Sequence, residues 1–447
     1  MRIFLKLARS AVVPFLAGLF LNPSFVMAES DCQVPLITDS ETLVSLALSC
    51  NGKQQAIGSR MQAQQYLTQA AGQLDDPKLT LGVAPQTFGE DRLDDGYIVE
   101  LSQPLPWPGL LSLRENVSAS KSNVLQARYN QDQINLAKHV RLAFAEMQFH
   151  SQLVSINQSH QALWLEFIDV VRVKYASGTA SKSAVLQATH EYHQLMQEAI
   201  ELKSSIDREV SKLKYLANLP VLTQFKMDSN LPLTHLPANT FKEILALLDR
   251  QPAMQGIKAK KQQKDNELAL AEIDRYPKLS VMARYNSLWM NDEKRWVVGV
   301  GLNLPFDFGK RSNREDSLRS EQSALNWEQQ DLRVQLREQL VQTHSLWQQA
   351  IEVYQLYQSD LLPLAQENLT TTLDEYQSGA GSFLSLLTAQ RQLLATERKA
   401  EMVRRDQYAQ FAQFTAASGL VRMSGWRESI NSNSENNSFN QKENSHE

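Results

Sequence analysis

The chain has 447 residues, 45 basic against 49 acidic side chains and a formal net charge of -4. That balance argues against a nucleic-acid partner, which needs clustered basic faces. Beyond the N-terminus no stretch is apolar for the roughly 20 residues of a transmembrane helix. Entry into a membrane is then open only to strands closed into a barrel.

Taken in chain order, residues 1–28 read as a signal peptide. Arg2, Lys6 and Arg9 form its positive region, Ala11 to Leu21 its short apolar stretch, and Val26-Met27-Ala28 its cleavage site. An uncleaved anchor is the alternative. Loss of those three positive charges takes the net charge from -4 to about -7. Cys32 and Cys50 follow. In an exported chain they are expected as a disulfide, with a two-thiol metal site as the alternative.

A helical lead-in over Glu41 to Leu74 comes next, then strands over Leu79 to Ala84 and Tyr97 to Gln103, joined by an acidic loop. The bend Pro104-Leu105-Pro106-Trp107-Pro108-Gly109 ends the sheet and opens a helix from Leu110 to about Tyr175. At 1.5 Å per residue such a helix reaches roughly 100 Å. After a Ser-Gly break a second helix returns over Ser181 to Leu219. The second half repeats this order: a lead-in over Thr240 to Ile273, strands over Leu279 to Trp289 and Arg295 to Leu304, a helix from Lys310 to about Tyr376, and its return over Phe383 to Gly419. Trp296, Val298, Val300, Leu302 and Leu304 alternate with Val297, Gly299, Gly301 and Asn303, a strand period. Leu332, Leu336, Leu340, Thr343, Trp347 and Ile351 keep the three-and-four spacing of a coiled-coil seam. From Ser424 on, the chain is rich in Asn, Ser and Glu and is expected to be disordered.

The two halves match at an offset of 200 to 201 residues. Asp76-Pro77-Lys78-Leu79 recurs as Tyr276-Pro277-Lys278-Leu279, Gly109 as Gly309, Arg114 as Arg314, and Tyr175-Ala176-Ser177-Gly178 as Tyr376-Gln377-Ser378-Gly379. This divides the chain into a first structural repeat at 29–222, a second at 223–423 and a tail at 424–447. The fold class is mainly α with a small β part. Four strands per chain fall short of the roughly eight a barrel needs, so several copies are required, and three would supply twelve. Trp107, Trp289 and Trp296 suit a membrane interface.

This doubled order of strand pair and helical hairpin, the Gln103 to Gly109 bend and the paired Tyr-x-x-Gly hairpin ends resemble the TolC-type outer-membrane efflux family over nearly all of the mature chain. The resemblance implies a homotrimer with a twelve-stranded β-barrel in outer-membrane lipid, continued by an α-helical barrel through the periplasm. It also implies a periplasmic adaptor and a proton-driven inner-membrane pump as partners. Tyr175, Gly178, Tyr376 and Gly379 fall where the family's hairpins turn and meet the adaptor. Family members often carry acidic residues just beyond the second tip, where this chain has Ser385 and Thr388, so a charged aperture ring is not expected. Arg172, Lys174 and Lys182 flank the first tip, and Asp374 and Glu375 precede the second, which offers a latch between alternating hairpins. The short lead-in and the Pro-Trp-Pro-Gly bend lean toward the branch serving heavy-metal cation pumps. A protein or peptide secretion duct and a non-channel periplasmic scaffold are the alternatives.

Enzyme chemistry is not expected. Gly309-Lys310 is no phosphate loop, because Leu304 holds the first glycine position and Arg311 replaces the Ser or Thr. Gly299 and Gly301 lie inside a strand. His190 and His193 have ligand spacing but read as a solvated helix face. No cofactor and no metal are expected.

Overall fold

The computed structural model describes residues 39–84, 96–221, 223–225, 231–232, 240–287, 289, 295–306 and 308–423. All of them belong to one compact unit, Val34–Glu447. The expected signal peptide, Cys32, the greater part of the acidic loop, the polar turn at 290–294 and the tail lie outside the described residues.

The lead-in is two helices, α1 (Ser40–Cys50) and α2 (Gly52–Ala71), where the sequence pattern suggests one. Asn51 makes the break. Its side-chain oxygen accepts from the Lys53 and Gln54 amides at 3.0 and 3.2 Å, and its Nδ2 donates to the Leu216 carbonyl at 2.9 Å. The strands β1 (Lys78–Ala84) and β2 (Gly96–Leu105) follow, then α3 (Leu110–Ala176), 67 residues long, and α4 (Lys182–Ala217).

The second lead-in is broken too. Helix α5 (Thr240–Ala246) and a 3-10 turn precede α6 (Pro252–Ile273), which starts on a proline that cannot extend a preceding ladder. Strands β3 (Lys278–Asn286) and β4 (Trp296–Asn303) complete the sheet. The former ends three residues short of the expected Trp289, because Ser287 turns back onto β2. Its amide donates to the Tyr97 carbonyl at 3.0 Å, and its hydroxyl accepts from the Tyr97 amide at 2.8 Å.

The long second helix also differs from expectation. It runs as α7 (Lys310–Leu356), a five-residue π-helical segment (Tyr357–Leu361) and α8 (Leu362–Ser378), followed by α9 (Phe383–Ala417). Pro363 lacks an amide proton and its ring crowds the carbonyl four residues back, which the widened π turn relieves.

Among the described residues three apolar cores hold the helices. Leu43, Val44 and Ala47 of α1 pack on Val140, Phe144 and Met147 of α3, Leu213 of α4 and Tyr408 of α9. Near the tips, Trp164, Phe167 and Val171 meet Leu195, Leu369, Tyr376, Leu386 and Leu393. Leu340 and Trp347 of the expected seam meet Ile244, Leu248, Phe411 and Phe414. Each fully buried large side chain stabilises the fold by roughly 1.5–3 kcal/mol.

At the junction of lead-in and long helix the two halves use one device with opposite polarity. Both long helices begin with an Arg-Glu dipeptide, Arg114-Glu115 and Arg314-Glu315. In the first half Asp75 pairs with Arg114 at 3.2 Å, exposed to solvent. In the second half Arg275 makes two 2.6 Å bonds to Glu315, whose side chain is 1% exposed. Neutralising Glu315 weakens charge-assisted bonds to a buried carboxylate, from Arg275 and from Arg319 at 3.4 Å, although Arg275 itself is 56% exposed, whereas the Asp75 pair is exposed at both ends. Glu315→Gln is therefore expected to cost about 2–3 kcal/mol, and Asp75→Asn less than about 0.5 kcal/mol, as read by thermal melting in detergent.

His344 stacks on Phe241 with ring centres 4.1 Å apart, and burial lowers its pKa below the usual 6.5. The folded state thus prefers the neutral ring. Its contribution is complete above the unfolded value and is lost as pH falls through the lowered folded value. Acidification from pH 7 to 5 should lower the melting temperature, and His344→Gln should flatten that dependence.

Candidate functional site

The four strands form one antiparallel sheet in the order β1-β2-β3-β4, so a strand of the first repeat pairs with a strand of the second. The register sorts side chains into two unlike faces. Leu81, Val99, Tyr285 and Trp296 stand in one row, and Leu79, Leu101, Ala283 and Val298 in the next. These rows are apolar and uncovered, with Val298 82% and Leu81 69% exposed. An apolar face of this extent marks a surface meant for lipid or protein.

The opposite face carries Thr80, Glu100, Arg284 and Val297 in one row, and Lys78, Ser102, Met282 and Gly299 in the next. The glycines of β4 make room there. A Cβ on Gly301 would lie 2.5 Å from the Ser280 hydroxyl, and one on Gly299 3.0 Å from the Met282 methyl. Outer strands β1 and β4 each have one neighbour, leaving a row of backbone groups open on either edge.

Aromatic rings bracket the apolar face. Trp296, Tyr285 and Tyr97 cluster at the end far from the helices, with centroids 5.2 and 5.7 Å apart. At the helical end Trp107 lies 5.8 Å from Tyr276, and its indole donates to the Pro277 carbonyl at 2.7 Å, tying the first repeat to the second. Trp289 is 44% exposed beyond β3. Strand β3, nine residues long, spans roughly 25–30 Å before tilt, close to the apolar band of an outer-membrane barrel. No described helix is long and apolar enough to cross a membrane.

The hairpin tips stand at the other end of the long helices. Gly178 (φ 78°) and Gly379 (φ 87°) adopt the left-handed conformation at the two turns, which is costly for other residues. Ser181 and Ser382 then cap the returning helices, accepting from the Ala184 and Ser385 amides at 3.2 and 3.1 Å. Tyr175 is exposed, whereas Tyr376 is buried, and burial raises its pKa. The two tips touch: the Lys174 ammonium donates to the Gln377 carbonyl at 3.2 Å and lies 5.3 Å from the Tyr376 ring centre.

Asp374 and Glu375 are exposed, and so are Ser385 and Thr388 one turn apart on α9. Within one chain Arg172 pairs with Asp169 at 3.6 Å rather than with the acidic pair of the second tip. Cys50 is disulfide-bonded; Cys32, its expected partner, lies outside the described residues. His190 and His193 are exposed, and no group of three metal-ligating side chains forms among the described residues.

Several contacts escaped the sequence reading. Gly381 is required by close approach, since a Cβ there would lie 3.0 Å from the Glu375 Cβ. Farther from the tips, Arg391 pairs with Glu191 and Arg398 with Glu198, joining α9 to α4 at a seven-residue interval. The heptad spacing of both partners was the available signal. Buried His160 adds a bond to Glu397 at 2.7 Å and a contact with the Gln390 amide at 2.6 Å.

Residues 244–420 match the family model described as outer membrane efflux protein. No curated protein matches the sequence. Among solved structures, CusC, from work on conformational changes accompanying folding and transmembrane channel formation, is 17% identical with a TM-score of 0.75, covering 85% of this chain and 92% of its own. The outer membrane protein VceC of Vibrio cholerae is 15% identical with a TM-score of 0.72, covering 85% and 96%. The MtrE outer membrane channel of Neisseria gonorrhoeae is 16% identical with a TM-score of 0.73, covering 85% and 89%. The second repeat is thus similar to the outer membrane efflux protein family, and the chain as a whole shares the fold of these channels.

Proposed function

We propose that the chain is the passive exit duct of a tripartite efflux system, assembled as a homotrimer and carrying heavy-metal cations. The observation that carries this reading is the sheet: one apolar face ringed by aromatics, one polar face, and two open edges, directly continuous with helices far too polar for lipid. Three copies supply twelve strands, closing the edges and turning the polar faces onto a water-filled bore. A proton-driven inner-membrane pump does the work, and a periplasmic adaptor meets the hairpin ends at Tyr175, Gly178, Tyr376 and Gly379. The heavy-metal assignment rests on the short lead-in and the Pro106-Trp107-Pro108-Gly109 bend.

Growth of a deletion strain across copper, silver, zinc, cobalt, cadmium, drugs and detergents tests the cargo. Sensitivity confined to one or two metals is expected. Broad drug sensitivity would instead assign multidrug efflux, and no sensitivity would favour polypeptide secretion.

In the trimer first and second hairpins alternate around the mouth. Asp374 and Glu375 then face the Arg172 and Lys182 side of the next chain, whose Lys174 is held on its own Gln377 carbonyl, and their mutual attraction holds the resting mouth shut. Single exposed pairs contribute only about 0–1 kcal/mol, so the latch works through several together. Reversing both charges, Asp374→Lys with Glu375→Lys, should raise leak conductance in planar bilayers several-fold. Unchanged leak would retire the latch.

A further inference from the structure

On the polar face of the sheet, Glu100 of β2 and Arg284 of β3 stand directly opposite each other. The Arg284 Nε donates to Glu100 Oε2 at 2.6 Å, and its Nη2 approaches the same oxygen. The side chains are 20% and 43% exposed, so water reaches the pair. Their row is completed by Thr80 and Val297. One flanking row holds Lys78, Ser102, Met282 and Gly299, and the other Gly82, Ile98 and Asn286, with Arg295 beside Asn286, whose amide donates to the Arg295 carbonyl at 2.9 Å. Lys278, also on this face, lies nearer the helices, 3.8 Å from Asp274.

We infer that Glu100 and Arg284 form a neutralised charge ring inside the barrel, each cancelling the pull the other would exert on the sign of the permeating ion. The inference rests on the duct reading above, which puts the apolar face against lipid and the polar face on the lumen. Threefold repetition then places three such pairs at one level of the barrel. A bore walled by low-dielectric material focuses the field of any unpaired charge onto the ions passing it. A side-by-side pair cancels that field beyond its own length. The pair joins a strand of the first repeat to one of the second, so each chain builds its whole share of the ring.

The test is the reversal potential of the purified full-length protein in planar lipid bilayers under a potassium chloride gradient. Glu100→Gln leaves three arginines facing the bore and should move the permeability ratio several-fold toward chloride. Arg284→Gln leaves three carboxylates and should move it several-fold toward potassium. The double variant should return to the wild-type ratio. All other bore charges, including those at the mouth, are common to the four proteins. Should either Gln variant fail to insert, Thr at the same position, which strands accommodate readily, replaces it. Single variants that form channels yet keep the wild-type reversal potential, or that shift in the same direction, would overturn the charge ring and leave the duct intact. Absence of channels from the wild-type protein would instead sink the duct reading and the ring with it.

Discussion

The outward-facing backbone groups of β1 and β4 have no strand partner among the described residues, and one face of the sheet between them is apolar and uncovered. Neither condition is stable in isolation. In water the apolar face drives association, and in lipid each unpaired amide or carbonyl is costly. Both demands are met together only when copies of the sheet join edge to edge into a closed wall, and this requirement explains most of what surrounds the sheet. Four strands are too few to close, so assembly precedes function. On the proposed duct reading, the helices are hydrophilic because the membrane segment is made of strands, and they are long because the remaining envelope has to be crossed in water.

Duplication supplies the joint between strand and helix twice over. Gly109 and Gly309, both with positive φ, let each chain turn from sheet to helix without a linker. Trp107 then fixes the first turn to the backbone of the second repeat. The exit of the sheet is thereby tied across the two repeats by one hydrogen bond and the Trp107–Tyr276 ring contact. The cores farther down divide the load, one around the lead-in helix, one under the second lead-in and one beside the tips.

Much of this was legible in the sequence because it rests on local periodicity. The alternation of β4, the three-and-four seam through Leu340 and Trp347, and the glycines of both turns are short-range patterns. Features that depend on distant partners were not legible. Asn51 is compatible with a helix until the Leu216 carbonyl and two amides claim its side chain. The demand for glycine at 381 comes from the approach of Glu375 across a turn, not from backbone dihedral preference. Pro363 falls inside the expected second long helix, and the structure meets its ring with a π turn rather than a break. The cross-link from Lys174 to the second tip follows from hairpin packing alone. Charge signs near the tips were readable, whereas their partners were not.

The junction of lead-in and long helix has a consequence for how the halves diverge. Each long helix opens with an arginine followed by a glutamate, so either sign of charge arriving from the lead-in finds a counter-ion without any change in the helix. Asp75 takes the arginine; Arg275 takes the glutamate. Such an amphoteric clasp lets one side of a contact drift from acid to base while the other stands still. An exchange of acid for base at the lead-in position, as between Asp75 and Arg275, therefore needs no compensating change in the helix that receives it.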